Sequence, residues 1–317
     1  MKKFTLFSLA LLSAVLAFTS CSKELDPGQV RTKEVAVSLA TRLPSAPQSR
    51  AVTEQVADIE GYHLRYILEI WTSGNKPELY KRIVKEADAD KTAFFDVTLL
   101  SGRTFDFLLW ADYAEDGGNE DMHYTTVDGL KEVTRSEKTY ITDEQHDYKL
   151  AATRDAFSAH KQVTADAPIN ETITLTRAVA QLNIFTTDYE QVEESFRPAY
   201  TGLTITTAAD FNVLTGTSFG SATSDLRSYV AVKTEKEGTA PDKNKVFTGY
   251  YFTSSEGKNV VDMDVHFYRA DNSEVVTYNM TNIPLQQNYR TNVTGALLTQ
   301  TGTLHVETEA AFAGDDI

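Results

Sequence analysis

The sequence predicts an all-β fold arranged as two sandwiches in tandem, and three observations carry the prediction. Apolar and polar residues alternate over short runs along the chain, the pattern of half-buried strands. Gly, Asn, Asp and Pro recur between those runs, where turns are needed. Beyond Cys21 no long apolar stripe at helical spacing follows, so neither half shows the strand–helix alternation of a parallel sheet. At 317 residues the chain is long enough for two domains with separate cores. They are expected over 31–166 and 167–317, with the change of half inside 162–172.

The first segment precedes the fold. Lys2 and Lys3 lead into an almost unbroken apolar run from Phe4 to Phe18, the make-up of a signal peptide over residues 1–20. The run is short for a membrane-spanning helix. It ends at Cys21, the chain's single cysteine, behind the small residues Thr19 and Ser20. That ending resembles a bacterial lipobox, with Phe18 where a smaller aliphatic residue is usual. The resemblance implies acylation of Cys21, palmitate included, and an outer-membrane protein anchored by lipid; the plainer alternative is secretion with Cys21 a spare thiol. With Cys21 acylated no disulfide is possible, although the compartment would permit one. The mature chain of 297 residues would carry 28 basic and 45 acidic side chains, a formal charge of 28 − 45 = −17. Such a surface argues against nucleic-acid or anionic-lipid partners. Residues 21–30, with Pro27-Gly28, read as a tether.

In KEVAVSLA (33–40), Val35, Val37 and Leu39 share one face of a strand. LPSAPQSRAVTEQ (43–55) has no periodicity and reads as a loop. In YHLRYILEIW (62–71), Tyr62, Leu64, Tyr66, Leu68 and Ile70 point one way, while Arg65 and Glu69 share the other face with Ile67 and Trp71. LYKRIVKEA is expected to pair back across the turn TSGNKPE. AFFDVTLL and TFDFLLWA read as a β-hairpin joined at Ser101-Gly102-Arg103. Residues 143–162 read as a short helix or an irregular crossover. Alternation resumes at Ile169, Ile173 and Leu175, and Arg177 sits at a bulge or corner before Val179, Leu182 and Ile184. LTITTAADFNVLTG is strand-like, and SFGSATSD and KTEKEGTAPDKNK read as loops. VFTGYYFT, NVVDMDVHFYRA, EVVTYNMTN, YRTNVTGALLT and GTLHVE complete the strands, with Ala270–Ser273 a hairpin turn.

Chemistry is sparse. His63, His123, His146, His160, His266 and His305 lack the spacing of a metal-binding pair. Asp262, Asp264 and His266 share a strand face, which is more often a solvent face than a cation site. There is no nucleophile elbow, phosphate-binding glycine loop or H-E-x-x-H, so no catalytic, cofactor-binding or metal residue is assigned and an enzyme is not expected. Asp112, Glu115, Asp116, Glu120 and Asp121 cluster around Gly117-Gly118 outside any calcium-loop register, and read as a surface loop more readily than as a calcium site. Tyr113, Tyr124, Tyr189, Tyr200, Tyr250, Tyr251, Tyr268, Tyr278 and Tyr289 would serve glycan stacking if exposed; otherwise they are the ordinary aromatics of sheets.

LRYILEIW, FDFLLWADY with the glycine–acid loop and Tyr124, TRAVAQLNI (176–184) and IPLQQNYRTNVTGALLT (283–299) occur in that order. Together they resemble Bacteroidales lipoproteins similar to the fimbrillin-like and minor-fimbrium anchor proteins. The resemblance spans most of 30–310 and includes no catalytic motif. It implies two transthyretin-like Greek-key sandwiches and a cell-surface role as fimbrial subunit, fimbrial anchor or related adhesin. Other fimbrial subunits, joined by strand donation, and a host or glycan ligand are the implied partners. In polymerising members a protease removes an N-terminal strand after a basic residue. Arg42 and Arg50 fall in a loop of suitable character, and two arginines in a flexible loop is the plainer reading. The tail AFAGDDI is weakly patterned as a donor strand. The alternative function is a carbohydrate-binding surface lipoprotein of a glycan-uptake system, which needs exposed aromatics on one surface.

Overall fold

The computed structural model describes residues 33–43, 58–136, 151–231, 244–253 and 259–310. Cys21, Arg50, His146 and the tail 311–317 lie outside the described residues. The described chain is all-β apart from short 3-10 turns. The first half supplies β1 (Glu34–Arg42), β2 (Tyr62–Thr72), β3 (Leu79–Glu86), β4 (Thr92–Leu100), β5 (Thr104–Glu115), β6 (Tyr124–Thr125), β7 (Val133–Arg135), β8 (Phe157–Thr164), β9 (Ile169–Thr174) and β10 (Thr176–Arg177). The second supplies β11 (Ala180–Thr186), β12 (Tyr200–Thr207), β13 (Asp210–Asn212), β14 (Thr217–Phe219), β15 (Ala222–Ala231), β16 (Asn244–Tyr251), β17 (Asn259–Tyr268), β18 (Glu274–Leu285), β19 (Tyr289–Ala296) and β20 (Thr301–Ala310).

The first sandwich faces a three-stranded sheet, β4-β1-β9, against a five-stranded sheet, β10-β8-β5-β2-β3. Alternation dictates what lies between them. Val35, Val37 and Leu39 of β1 and Phe95, Val97 and Leu99 of β4 meet Tyr66, Leu68 and Ile70 of β2 and Phe105, Phe107 and Leu109 of β5. The second sandwich faces β16-β11-β19-β20 against β15-β12-β17-β18 over its own core.

The two sandwiches repeat one topology. In each, an opening strand runs antiparallel to one neighbour and parallel to the other: β1 with β4 and β9, β11 with β16 and β19. The facing sheets match as well, since the antiparallel order β8-β5-β2-β3 corresponds to β18-β17-β12-β15. Among the described residues β20, on the outer edge of β19, has no counterpart beside β9.

A third core joins the halves. Ile67, Leu108 and Trp110 point away from the first core and are buried among Tyr124, Leu130 and Val133 of the first half and Val179, Phe211, Tyr250 and Phe252 of the second. Trp110 meets Tyr124 edge-on at 5.3 Å between ring centroids, and Phe211 stacks on Phe252 at 5.5 Å. A small sheet, β14-β13-β7-β6, draws strands from both halves and roofs this core.

Several expectations need correction. β4 and β5 do not form a hairpin: β4 pairs with β1 and β5 with β2 and β8, so Ser101-Gly102-Arg103 crosses between sheets. Gly102 makes this short crossing at φ +77°, a conformation costly for any other residue. Within 143–162, the described part is a 3-10 turn at Ala152–Arg154 followed by β8, whose strand character is masked in the sequence by exposed His160 to Gln162. SFGSATSD is the end of β14 and the start of β15, and Asn244-Lys245 opens β16. β9 and β10 follow residue 167, yet they pair with β1 and β8 of the first sandwich. The predicted turns between β2 and β3 and between β17 and β18 are present, and Arg177 stands at a corner, paired with Phe157.

Candidate functional site

β1 is the middle strand of the three-stranded sheet, and its two ladders define the candidate site. It pairs with β4 from Glu34↔Leu100 to Arg42↔Thr92 and with β9 from Val37↔Ile169 to Arg42↔Thr174. Val35, Val37 and Leu39 are buried in the first core, and the Thr41 hydroxyl donates to Ala93 O at 3.0 Å. The other face is exposed, and there Ser38 Oγ donates to Asp96 Oδ1 at 2.6 Å. Arg42 is the last residue of the strand, not part of a loop; its Nε donates to Thr174 Oγ1 at 3.0 Å. Removing β1 would leave an apolar slot bounded by two strands with unpaired backbone groups.

The other edge of β4 faces β3 through side chains. Tyr80 OH donates to Thr98 O at 3.3 Å and Lys85 Nζ to Phe94 O at 2.5 Å. A cleft of about 550 Å³ opens beside this seam, lined by Ala36, Val37, Ser38, Tyr80, Lys81 and Asp96 among others.

The acidic stretch after Trp110 is divided between core and surface. Asp112 and Asp121 both face Arg65, which is buried on the second face of β2. Arg65 holds Asp112 at 2.6 and 3.0 Å, Asp121 at 2.8 Å and the carbonyl of Asn119 at 2.5 Å. Burial works against the Arg65 charge, but Asp112 and Asp121 raise its pKa above the ordinary range. Burial holds the Asp112 carboxyl above its usual range and the Asp121 charge adds to this, while the Arg65 guanidinium, in ion-pair contact with it, draws it back down. Asp121 is held low despite partial burial, because the Thr126 N–H and hydroxyl and Arg65 all donate to it. Glu69, on the same face as Arg65, accepts from Arg82, from Trp71 Nε1 at 2.9 Å and from Leu130 N at 3.0 Å. The sequence signal for this network was Arg65 and Glu69 sharing a face with Ile67 and Trp71, a mixture that marks a covered face with internal partners.

The other predicted residues find ordinary neighbours. His266 sits between the hydroxyls of Thr204 and Thr277 at 3.1 and 2.8 Å, and Asp264 accepts from Asn279. His160 Nε2 is 3.0 Å from Asp106 Oδ1, and His123 Nε2 is 2.6 Å from Thr153 Oγ1. Among the described residues no group of three or more His, Cys, Asp or Glu is placed to hold a metal ion. Tyr113, Tyr124, Tyr189, Tyr250, Tyr251 and Tyr268 are buried, and Tyr200, Tyr278 and Tyr289 are half-buried; all are sheet aromatics except Tyr189, which opens a 3-10 turn. No described helix is long and apolar enough to cross a membrane.

Among solved structures, the chain is similar to an adhesin candidate from Bacteroides thetaiotaomicron VPI-5482, at 8% identity and a TM-score of 0.50, covering 86% of this chain and 96% of that one. That likeness is one of fold. The tip fimbrial protein Mfa3 of Porphyromonas gingivalis, truncated at its C-terminus, gives 12% identity, a TM-score of 0.46 and coverage of 87% and 99%. A fimbrial assembly protein of Parabacteroides distasonis ATCC 8503 gives 12%, 0.40, and coverage of 88% and 95%. No curated protein matches the sequence. The model of the Family of unknown function (DUF6562) matches residues 27–317, nearly the whole chain, and the protein belongs to that family.

Proposed function

We propose that the protein is a non-catalytic cell-surface lipoprotein, held in the outer membrane by acylated Cys21, that acts as a fimbrial subunit, a fimbrial anchor or a related adhesin. The observation that carries the reading is the position of β1. An N-terminal strand held between two other strands, with one apolar face in the core and an arginine at its end, is what exchange of one strand for another requires. A replacement strand would recover the same ladders and bury its alternate side chains where Val35, Val37 and Leu39 now lie. The fold shared with the Bacteroides thetaiotaomicron adhesin candidate supports the same reading. The signal peptide over 1–20, the tether over 21–30 and the division into two sandwich domains belong to this proposal. With β9 and β10 counted in the first sandwich, the division falls after Arg177.

Native surface material, purified and analysed for what accompanies the protein, tests the role. Complexes with filament subunits are expected. A protein that is always monomeric and never found with such subunits overturns the fimbrial reading. Palmitate labelling of wild type against Cys21→Ser tests the anchor, and equal labelling of the two would sink it.

A further inference from the structure

β3 is the edge strand of the five-stranded sheet, and it differs from the other strands of the first sandwich. Six of its eight residues are exposed, among them Leu79 at 47% and Val84 at 39%. Its ladder to β2 fixes which backbone groups remain open. Ala87 N donates to Leu64 O at 2.8 Å, and alternation along an antiparallel pair then turns the amides of Lys85, Ile83 and Lys81 toward β2. The N–H and C=O groups of Arg82, Val84 and Glu86 therefore point to the open edge. Leu79, Arg82, Val84 and Glu86 share the outer face, where Arg82 Nη2 donates to Thr126 Oγ1 at 2.9 Å. Thr126 brings up Val127, which is 75% exposed.

The charge on this edge runs against that of the molecule. The chain carries a formal charge of −15, yet KPELYKRIVKE (76–86) holds Lys76, Lys81, Arg82 and Lys85 against Glu78 and Glu86. Glu69 neutralises Arg82, which leaves three lysines against Glu78 and Glu86, still a local positive surplus on an acidic chain. Two copies of this edge placed side by side would set lysine against lysine, which is unfavourable across a strand pair. An incoming strand with carboxylates meets the opposite situation.

We propose that β3 is a docking edge for an extended acidic segment of a partner protein. The segment adds as a sixth strand of this sheet, its backbone bonding to Arg82, Val84 and Glu86. Its apolar side chains lie beside Leu79, Val84 and Val127, and its carboxylates lie near Lys81 and Lys85. This surface is on the opposite sheet from the β1 slot and does not depend on exchange of β1.

The test uses the full chain in detergent and two end-blocked ten-residue peptides, one alternating valine with glutamate and one alternating valine with lysine. The glutamate peptide is expected to bind at least about tenfold more tightly, to weaken as salt is raised, and to slow amide exchange at Arg82, Val84 and Glu86. Val84→Pro removes an outward N–H without touching the β2 ladder, a placement that edge strands accept. It should reduce binding at least about tenfold with the melting temperature unchanged. Should that variant fold poorly, Lys76→Glu with Lys81→Glu serves instead and should shift the preference to the lysine peptide. Equal binding of the two peptides, binding without protection of β3, or an unaltered preference in the charge-reversed variant would overturn the proposal.

Discussion

A chain that begins at Leu43 lacks β1, and the structure sets the size of the effect. Val35, Val37 and Leu39 are 1–2% exposed, so the transfer of their side chains from water is essentially complete. At about 1.5–3 kcal/mol for each buried aliphatic side chain, the three together contribute roughly 5–9 kcal/mol. The ladders to β4 and β9 add to this, while residual compactness of the unfolded chain reduces it. Net stabilities of domains are about 5–15 kcal/mol, so the first sandwich would lose most of its margin. The second core contains no residue of β1 and should keep its protection. Amide exchange measured by mass spectrometry should therefore rise in β4 and β9 by roughly three to six powers of ten, at about 1.4 kcal/mol per tenfold change. The amides of β11, β12 and β17 should change little. Adding a peptide of residues 34–42 should restore protection by mass action, by about 2.7 kcal/mol when its concentration is a hundredfold above Kd. Unchanged protection of β4 and β9 in the shortened chain, or indifference to the peptide, would refute the account of β1 as an exchangeable strand.

Three further outcomes follow from the packing. Arg65→Met leaves the Asp112 carboxylate buried without its cation and should lower stability by about 3–5 kcal/mol, read from the urea midpoint. Arg65→Met with Asp112→Leu should recover much of the loss, and an unshifted midpoint in the single variant would contradict the ion pair. Gly249 lies on β16, where an added Cβ would stand 2.8 Å from Phe247 Cε1, Tyr251 Cε2 and the Tyr251 hydroxyl oxygen. Gly249→Ala should cost about 1–3 kcal/mol by calorimetry, and a neutral result would mean the site is roomier than described. Burial alone would raise the carboxyls of Asp106, Asp121 and Asp188, but hydrogen bonds from Ser73 and His160, from Thr126 and Arg65, and from Thr186 and Thr299 outweigh it and hold them low. A carboxyl depressed in the folded state stabilises above its unfolded pKa of about 3.9 and loses that contribution as pH falls through the folded value. The urea midpoint should thus decline below about pH 4, and Asp188→Asn should flatten the decline.

The strands that were legible in the sequence are those with one wet face. β1 and β4 alternate cleanly because one side meets the core and the other meets water. β2 and β5 are buried on both faces, so their alternation carries less information, and the charges on the second face could be placed only once Arg65, Asp112 and Asp121 came together. Period-two alternation also says which face is buried without saying which sheet a strand joins. That is why Ser101-Gly102-Arg103 read as a hairpin when it is a crossing, and why β9 and β10 read as part of the second half. The reading of Cys21 rests on the sequence of residues 1–21 alone.

The repeat was hidden for a related reason, and it bears on the proposed role. β1 and β11 hold the same place in their sandwiches but meet different surroundings. All seven residues of β11 are buried, whereas β1 alternates between buried and exposed. The second face of β11 is fastened by side-chain hydrogen bonds: Gln181 to Tyr250 and Arg290, and Asn183 to Asn292 and Thr248. On the outer face of β1 the corresponding contacts are those of Ser38 to Asp96 and Arg42 to Thr174, both exposed to water. Withdrawing β11 would strand several buried polar groups, each costing about 1–3 kcal/mol beyond the lost ladder and apolar contacts. Withdrawing β1 costs its ladder, one apolar face and the single buried side-chain bond of Thr41 to Ala93 O, which an incoming strand with a hydroxyl at that position can replace. Of two topologically equivalent strands, the N-terminal one is therefore the one suited to exchange.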